Sequence, residues 1–338
     1  MILSNNFPTT RRSHLTLTRC AVALALTLSL GLGVACASAA EPQKLFPAPI
    51  YVTLQSSNAV ENMPSGKTWG ALDSAHYDAI SPDGSRLLVS SQSQPEVYLV
   101  DAATGKKLAT FEIGPTPQGV AIGPRGRWAL AVSAGAGTVA AIDLKTLKLV
   151  KSIAVGKVPH NARFTANSKL AYVTLQGGTG VAVVDMQTLT KVDEIPVPGI
   201  SGPHNLDLSA DENTLWVRDL VGKVAAVDIK ARKVLAVIPV GLSHGGIDVI
   251  PGGRYVFSGA IADHVVDVID PVTFKVIKRI DVGQGPHGVR ASRDGRWVYV
   301  GVTGTDKVAV IDTRTLDVVQ QVSTHGRLPF WLSVAGND

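Results

Sequence analysis

Six times along this chain an apolar run closes on an aspartate, at Asp101, Asp143, Asp185, Asp228, Asp270 and Asp312, in steps of 42 or 43 residues. A second marker opens each unit, at His76, Gln118, His160, His204, His244, His287 and Phe330, in steps of 40 to 44. The clearest copy, 283–312, reads GQGPHGVRASRDGRWVYVGVTGTDKVAVID. Self-similarity at this period means that each unit is one supersecondary element, too small to bury its own apolar face and stable only against its neighbours.

Within a unit no helical periodicity appears, and strand-like runs recur at a spacing of 8–12 residues, which predicts short strands and an all-β chain. The sixth unit gives strands over 287–291, 297–301, 308–312 and 317–322. The first strand ends in a tight turn such as Ser81-Pro82-Asp83-Gly84 or Arg293-Asp294-Gly295, where glycine supplies positive φ. The third and fourth are joined by turns such as Asp101-Ala-Ala-Thr104 and Asp312-Thr-Arg-Thr315. An aspartate there accepts from the backbone two residues on, so the six aspartates are read as structural. Four strands per 42 residues predict a propeller blade, and the units count to seven. The last has only a first strand, 330–334. The segments 50–55, 59–63 and 68–72 supply the other three, 50–55 (IYVTLQ) nearly duplicating 171–176 (AYVTLQ). The fold expected is a seven-bladed β-propeller in which one C-terminal strand joins three N-terminal strands, leaving no open edge. Trp128, Trp216, Tyr255 and Trp297 are placed at equivalent second-strand positions, packing between blades.

Ahead of the repeats lies a targeting pattern. Arg11, Arg12 and Arg19 precede the apolar run 21–34, and small residues follow at 37–40. This reads as a signal peptide over 1–40, of general secretory or twin-arginine type, followed by a single domain over 41–338. The run is too short to span a bilayer, and no later segment approaches about 20 apolar residues. The expected location is therefore periplasmic or secreted. Both cysteines, Cys20 and Cys36, fall in the leader, which excludes disulfides and thiolate chemistry from the mature domain. Loss of three arginines and no acid takes the net charge from +5 to +2. No clustered basic face argues for nucleic acid.

Repeats of the form Gly-x-x-Pro-His-Gly…Asp-Gly-Arg-x-Val-Tyr-Val, closed by Val-x-Val-Ile-Asp, resemble the YVTN-type (YncE-like) propellers. These are similar to the haem domain of cytochrome cd-type nitrite reductases. The resemblance covers essentially the whole mature chain and implies the blade architecture. Similar propellers serve as enzymes, cofactor carriers and scaffolds, so it does not fix an activity.

The candidate chemistry lies in histidine. His76, His160, His204, His244 and His287 all open a first strand, and so ring one mouth of the central channel. His264 and His325 lie in loops of the same face. The candidate metal ligands are His76, His160, His204, His244, His264 and His287, densest along the arc from His160 to His287. Gln118, Arg218, Asp219, Asp263, His325, Phe330 and Trp331 are candidates for contact with a small ligand. Imidazole suits copper, zinc or iron, and a larger planar ligand lying across the ring would be non-covalently bound haem held by histidine. Three positions on, Arg163, Asp207, Arg290 and the shifted Asp248 form a deeper charged tier, expected to pair between blades. Two readings compete with metal or cofactor binding. One is a lyase, lactonase or oxidoreductase with a rim histidine as base. The other is a scaffold for another periplasmic protein, docking at Phe330-Trp331. The GxSxG match at 241–245 and the GxGxxG match at 283–288 lead into strands, not helices, and carry no motif chemistry.

Overall fold

A computed structural model describes residues 45–335. Its strands form seven four-stranded sheets, each antiparallel throughout. The innermost strands of blades 1 to 7 are Ala75–Ile80, Pro117–Ile122, Pro159–Phe164, Pro203–Leu208, Ile247–Val249, Pro286–Ala291 and Pro329–Val334. Each packs on the next, and the last packs back on the first, closing the ring. Blade 7 is assembled as expected: Pro329–Val334 pairs with Ile50–Leu54, which pairs with Ala59–Met63 and then Lys67–Trp69. The expected leader and both cysteines lie outside the described residues. Among the described residues no helix is long and apolar enough to cross a membrane.

The core lies between blades. Val132, Ala141 and Ile153 of blade 2 share one apolar cluster with Val173, Ala182 and Met186 of blade 3. Middle strands are therefore sandwiched on both faces and fully buried, as in Val181–Val184, whereas outer strands such as Lys233–Pro239 alternate exposed and half-buried residues. The six aspartates cap turns. Asp185 Oδ1, for example, accepts from the N–H groups of Gln187 and Thr188 at 2.8 Å. These bonds to the charged form hold its carboxyl below the ordinary range.

One expectation fails. Trp128 and Trp297 stand opposite Asp143 and Asp312, but Thr214, not Trp216, stands opposite Asp228. Trp216 sits two residues deeper, opposite Ala226, where it is fully buried. Trp128, Tyr255 and Trp297 instead line the rim, each beneath an arginine 4.2–4.9 Å away. Strand alternation puts both positions on one face, so the packing role stands while the equivalence does not.

Candidate metal centre

The histidine arc is delivered by a bulge. Pairing between first and second strands shifts register just after the marker position in blades 1, 2, 3, 4, 6 and 7. A bulge leaves backbone groups without a ladder partner, and second-strand hydroxyls take them up. Ser90 accepts from Tyr77 N–H, Thr174 from Asn161 N–H and Thr53 from Trp331 N–H, at 2.9–3.0 Å. Thr174 also donates to the carbonyl of His204 in the next blade at 2.7 Å. These hydroxyls, the Thr of Tyr51-Val-Thr53 and Tyr172-Val-Thr174, escaped the sequence reading. Their recurrence after an apolar pair was the available signal.

Blade 5 differs. Its extra residue at Gly245-Gly246 shortens the first strand to Ile247–Val249 and leaves His244 on a loop. Both glycines are sterically required. A Cβ on Gly245 would meet the Gly259 carbonyl oxygen at 2.4 Å, and one on Gly246 would meet Val289 N at 2.7 Å. In return, Gly246 N–H donates to the His287 carbonyl at 2.6 Å, and Gly245 accepts from the Asn205 amide at 2.8 Å. His244 is thereby held against its neighbours, with ring centroids 4.5 Å from His204 and 5.4 Å from His287.

His204, His244 and His287 each offer one ring nitrogen, all within 4.8 Å of one another. Metal–nitrogen bonds of about 2.0–2.1 Å in a tetrahedral shell require nitrogens about 3.3 Å apart, so small side-chain rotations would close a site. The Nε2 atoms of His204 and His287 are buried without a hydrogen-bond partner. His287 donates Nδ1–H to the Phe330 carbonyl at 3.0 Å, which leaves Nε2 as the lone-pair atom. The Gln176 amide nitrogen lies 3.1 Å from Nδ1 of His204. Only with that amide turned over, a choice the hydrogen-bond network decides, would its oxygen accept the Nδ1 proton and leave Nε2 unprotonated. Outer partners of this kind orient ligating imidazoles in metal sites.

Burial keeps the rings neutral. Desolvation, reinforced by neighbouring imidazoles, drives His204 and His287 well below the ordinary histidine range. Desolvation also lowers His160 and His76 to about 3, with neighbouring histidines adding to the effect. His244, half-buried, is lowered by burial and then by the Arg218 guanidinium.

Other candidates are placed outside the triad. His160 stacks on His204 at 3.7 Å and donates to the His204 carbonyl at 3.1 Å. His76 is turned to Gln118, 3.2 Å from its amide oxygen, and stacks on Phe330 at 4.2 Å. His264 is exposed and tied into its own turn at the Ile261 carbonyl, 3.0 Å away. His325 pairs with the buried Glu61 carboxylate at 2.8 Å, locking the last loop to blade 7. Trp331 is buried, under Tyr77 at 4.4 Å and beside Arg290 at 4.7 Å, so Phe330-Trp331 forms no exposed patch. Arg218 and Asp219 are fully buried rather than raised on a loop to meet a ligand. Asp219 accepts from the N–H groups of residues 221–223, and Asp263 from Leu242 N–H.

The deeper tier is paired. Arg163 bridges Asp207 at 2.9 Å and Asp248 at 3.0 Å, and Arg290 reaches Asp248 at 3.1 Å. Burial and then Asp207 push Asp248 above the ordinary carboxylate range, against the pull of Arg290 and Arg163. These charges line a cavity of about 360 Å³ at the opposite mouth, and neither aspartate orients a triad imidazole.

Comparison with known proteins bears on the fold. Residues 209–328 match the family model described as Cytochrome D1 heme domain. The chain is similar to that haem-domain propeller. The matched stretch holds His244, His264, His287 and His325 but begins after His204. No curated protein matches. Among solved structures, hydrazine synthase of Kuenenia stuttgartiensis aligns at TM-score 0.70 and 23% identity, over 78% of this chain and 90% of that one. Dihydro-heme d1 dehydrogenase NirN in complex with DHE aligns at 0.63 and 16%, over 86% and 75%. A functionally unknown protein from Desulfotomaculum acetoxidans aligns at 0.73 and 14%, over 86% and 100%. At these identities the likeness is one of fold.

Proposed function

We propose that this chain is an exported propeller that binds a transition-metal ion at one channel mouth through His204, His244 and His287. The observation carrying this reading is the pair of buried Nε2 atoms on His204 and His287 with no partner, on rings that, with His244, each bring one nitrogen within 4.8 Å of the others. Leaving a buried polar atom unpaired costs about 1–3 kcal/mol, a cost that a bound ion removes. Neutral rings are the form that ligates. With His244 half-buried and on a loop, the fourth position is the natural place for a small exogenous ligand. Export is inferred from the leader pattern over 1–40.

The test is metal analysis and titration of protein purified after export. His204→Ala should abolish stoichiometric uptake, and His264→Ala should leave it intact. A protein that takes up no transition metal, or whose uptake survives His204→Ala, sinks the proposal. The family match over 209–328 favours a second reading, non-covalent haem. His160 on His204 and Phe330 on His287 both stack at 3.7 Å. A macrocycle would then lie across the mouth above these rings and announce itself as a strong visible absorption band on reconstitution.

A further inference from the structure

The second-strand residue that serves the bulge changes character in one blade. It stands four places after the residue opposite the turn-capping aspartate: Ser90 follows Arg86 opposite Asp101, Thr174 follows Leu170 opposite Asp185, and Arg218 follows Thr214 opposite Asp228. Thr53 holds the matching place in blade 7, within the copy of Tyr172-Val-Thr174 at Tyr51-Val-Thr53. Where the residue is threonine, its hydroxyl donates to the carbonyl of the marker histidine in the next blade, Thr53 to His76 at 2.9 Å and Thr174 to His204 at 2.7 Å. Blade 4 has an arginine there, and the next blade is the one whose histidine has left the strand.

The arginine does the same task at longer reach. Arg218 is fully buried. Its Nη2 donates to the Gly241 carbonyl at 2.7 Å and to that of Ser243, the residue before His244. Nη1 donates to Lys223 O at 3.2 Å, and Nε to Gly259 O at 3.4 Å. A hydroxyl has one proton to give and a guanidinium five, so only the latter spans two carbonyls of a displaced loop while staying anchored in its own blade. Its charge is met by Asp219, 3.5 Å from Nη1. What Arg218 supplies to His244 is therefore placement. The same loop is held from its other side: Asp267 accepts from Gly241 N–H at 2.6 Å, Asp263 from Leu242 N–H at 2.9 Å, and the Val221 carbonyl from Ser243 N–H at 2.8 Å. Ser243 carries the hold to the ring, its hydroxyl lying 3.4 Å from Nδ1 of His244.

Resting on the metal reading above, we infer that Arg218 is the positioning residue of this centre, the side chain that fixes the 241–243 loop and so makes His244 a third ligand. His204 and His287 start regular strands, whereas His244 has only its loop to orient it. A ligand whose support is loosened must be ordered again when the ion binds, and that ordering is lost from affinity.

The experiment is a double-mutant cycle on the full-length protein. Zinc(II) affinity is measured by competition with a chromophoric chelator, and the visible spectrum of bound cobalt(II) reports the ligand set. Arg218→Thr, which gives blade 4 the residue of blades 3 and 7, should weaken zinc(II) binding by about tenfold to a hundredfold, the range for lost outer partners. Its cobalt(II) spectrum should move to that of His244→Ala. Adding Arg218→Thr to His244→Ala should weaken binding no further. Arg218→Lys, which keeps a buried donor beside Asp219, should recover part of the affinity. An equal loss in both backgrounds, or none in either, overturns the inference, since Arg218 would then act on the blade as a whole or not at all. Should Arg218→Thr fail to fold, the same cycle with Arg218→Lys decides: a loss confined to the His244 background supports the inference, and any other pattern overturns it. Failure of the unaltered protein to bind either ion would instead remove the metal reading itself.

Discussion

Gly288 stands directly after His287, where the innermost strands of blades 6 and 7 approach most closely. A Cβ there would lie 2.9 Å from Trp331 Cα, 3.0 Å from the Phe330 carbonyl oxygen and 3.2 Å from Leu332 N. All three are backbone atoms, so no side chain can swing aside. Carbon contacts settle at about 3.5–4.0 Å, so Gly288→Ala must part the two strands by roughly 0.6 Å or more. Gly288 is not among the positive-φ residues, so the cost is steric rather than conformational. Overpacking of this kind costs about 1–3 kcal/mol. At about 2–4 °C per kcal/mol for domains somewhat smaller than this one, a fall in Tm of no more than about 2–12 °C is expected. The control is Gly70→Ala, exposed, with nothing within 4 Å of the added methyl. It should be neutral or slightly stabilising, by up to about 1 kcal/mol through the unfolded chain. Differential scanning calorimetry of both variants decides the matter. Equal melting temperatures for Gly288→Ala and Gly70→Ala would show that the blades do not meet as described.

Thr174→Val deletes the hydroxyl that serves both Asn161 N–H and the His204 carbonyl. Urea unfolding should register a loss of about 1–3 kcal/mol for the buried groups left unpaired; a change under about 0.5 kcal/mol would contradict the bulge-bridging role. Stability should also fall on acidification below the ordinary histidine pKa of 6.5. Burial lowers His76 to about 3 in the folded protein, so between about pH 6.5 and 3 the unfolded chain binds a proton that the folded chain excludes. His76→Phe, similar in shape and without a titrating group, should flatten the fall in Tm measured from pH 7.5 to 4.5; identical slopes would count against a neutral buried His76.

Much of the fold was legible because propeller physics writes itself as periodicity. Aspartates that cap turns, glycines that end first strands and apolar runs buried on both faces recur wherever a blade recurs. The divided seventh blade could be read for the same reason, since its three N-terminal strands carry the pattern its lone C-terminal strand lacks. The Trp216 position was misread because its aromatic character resembled that of Trp128 and Trp297, whereas register is set by the partner strand and needs the count from Asp228. The site was legible only as a neighbourhood. Sequence spacing places histidines at one mouth, but the direction of each ring depends on neighbours in the adjacent blade. Gln118 takes His76, and the Ile261 carbonyl takes His264. The burial of Arg218 was equally invisible, since the loop carbonyls it binds belong to the next blade.

Five histidines at one repeat position resemble copies of a structural residue, and three of them behave in part that way. His160 and His287 each spend Nδ1 on the next blade's carbonyl, and His76 spends Nε2 on a side chain of the next blade. Had copying been the whole account, His244 would repeat the bond of its counterparts from a regular first strand. Instead one added residue takes His244 off the strand, shortens that strand to three residues and demands two glycines in places where no Cβ fits. A fully buried guanidinium then holds the displaced loop. Each of these features is costly to a blade: glycine loses backbone entropy on folding, and a buried charge must be desolvated. What they obtain together is a third imidazole beside two unpartnered ring nitrogens. Such costs converging on one loop are what strain kept for function looks like, and they make His244, rather than the more deeply buried His204 or His287, the residue on which the site turns.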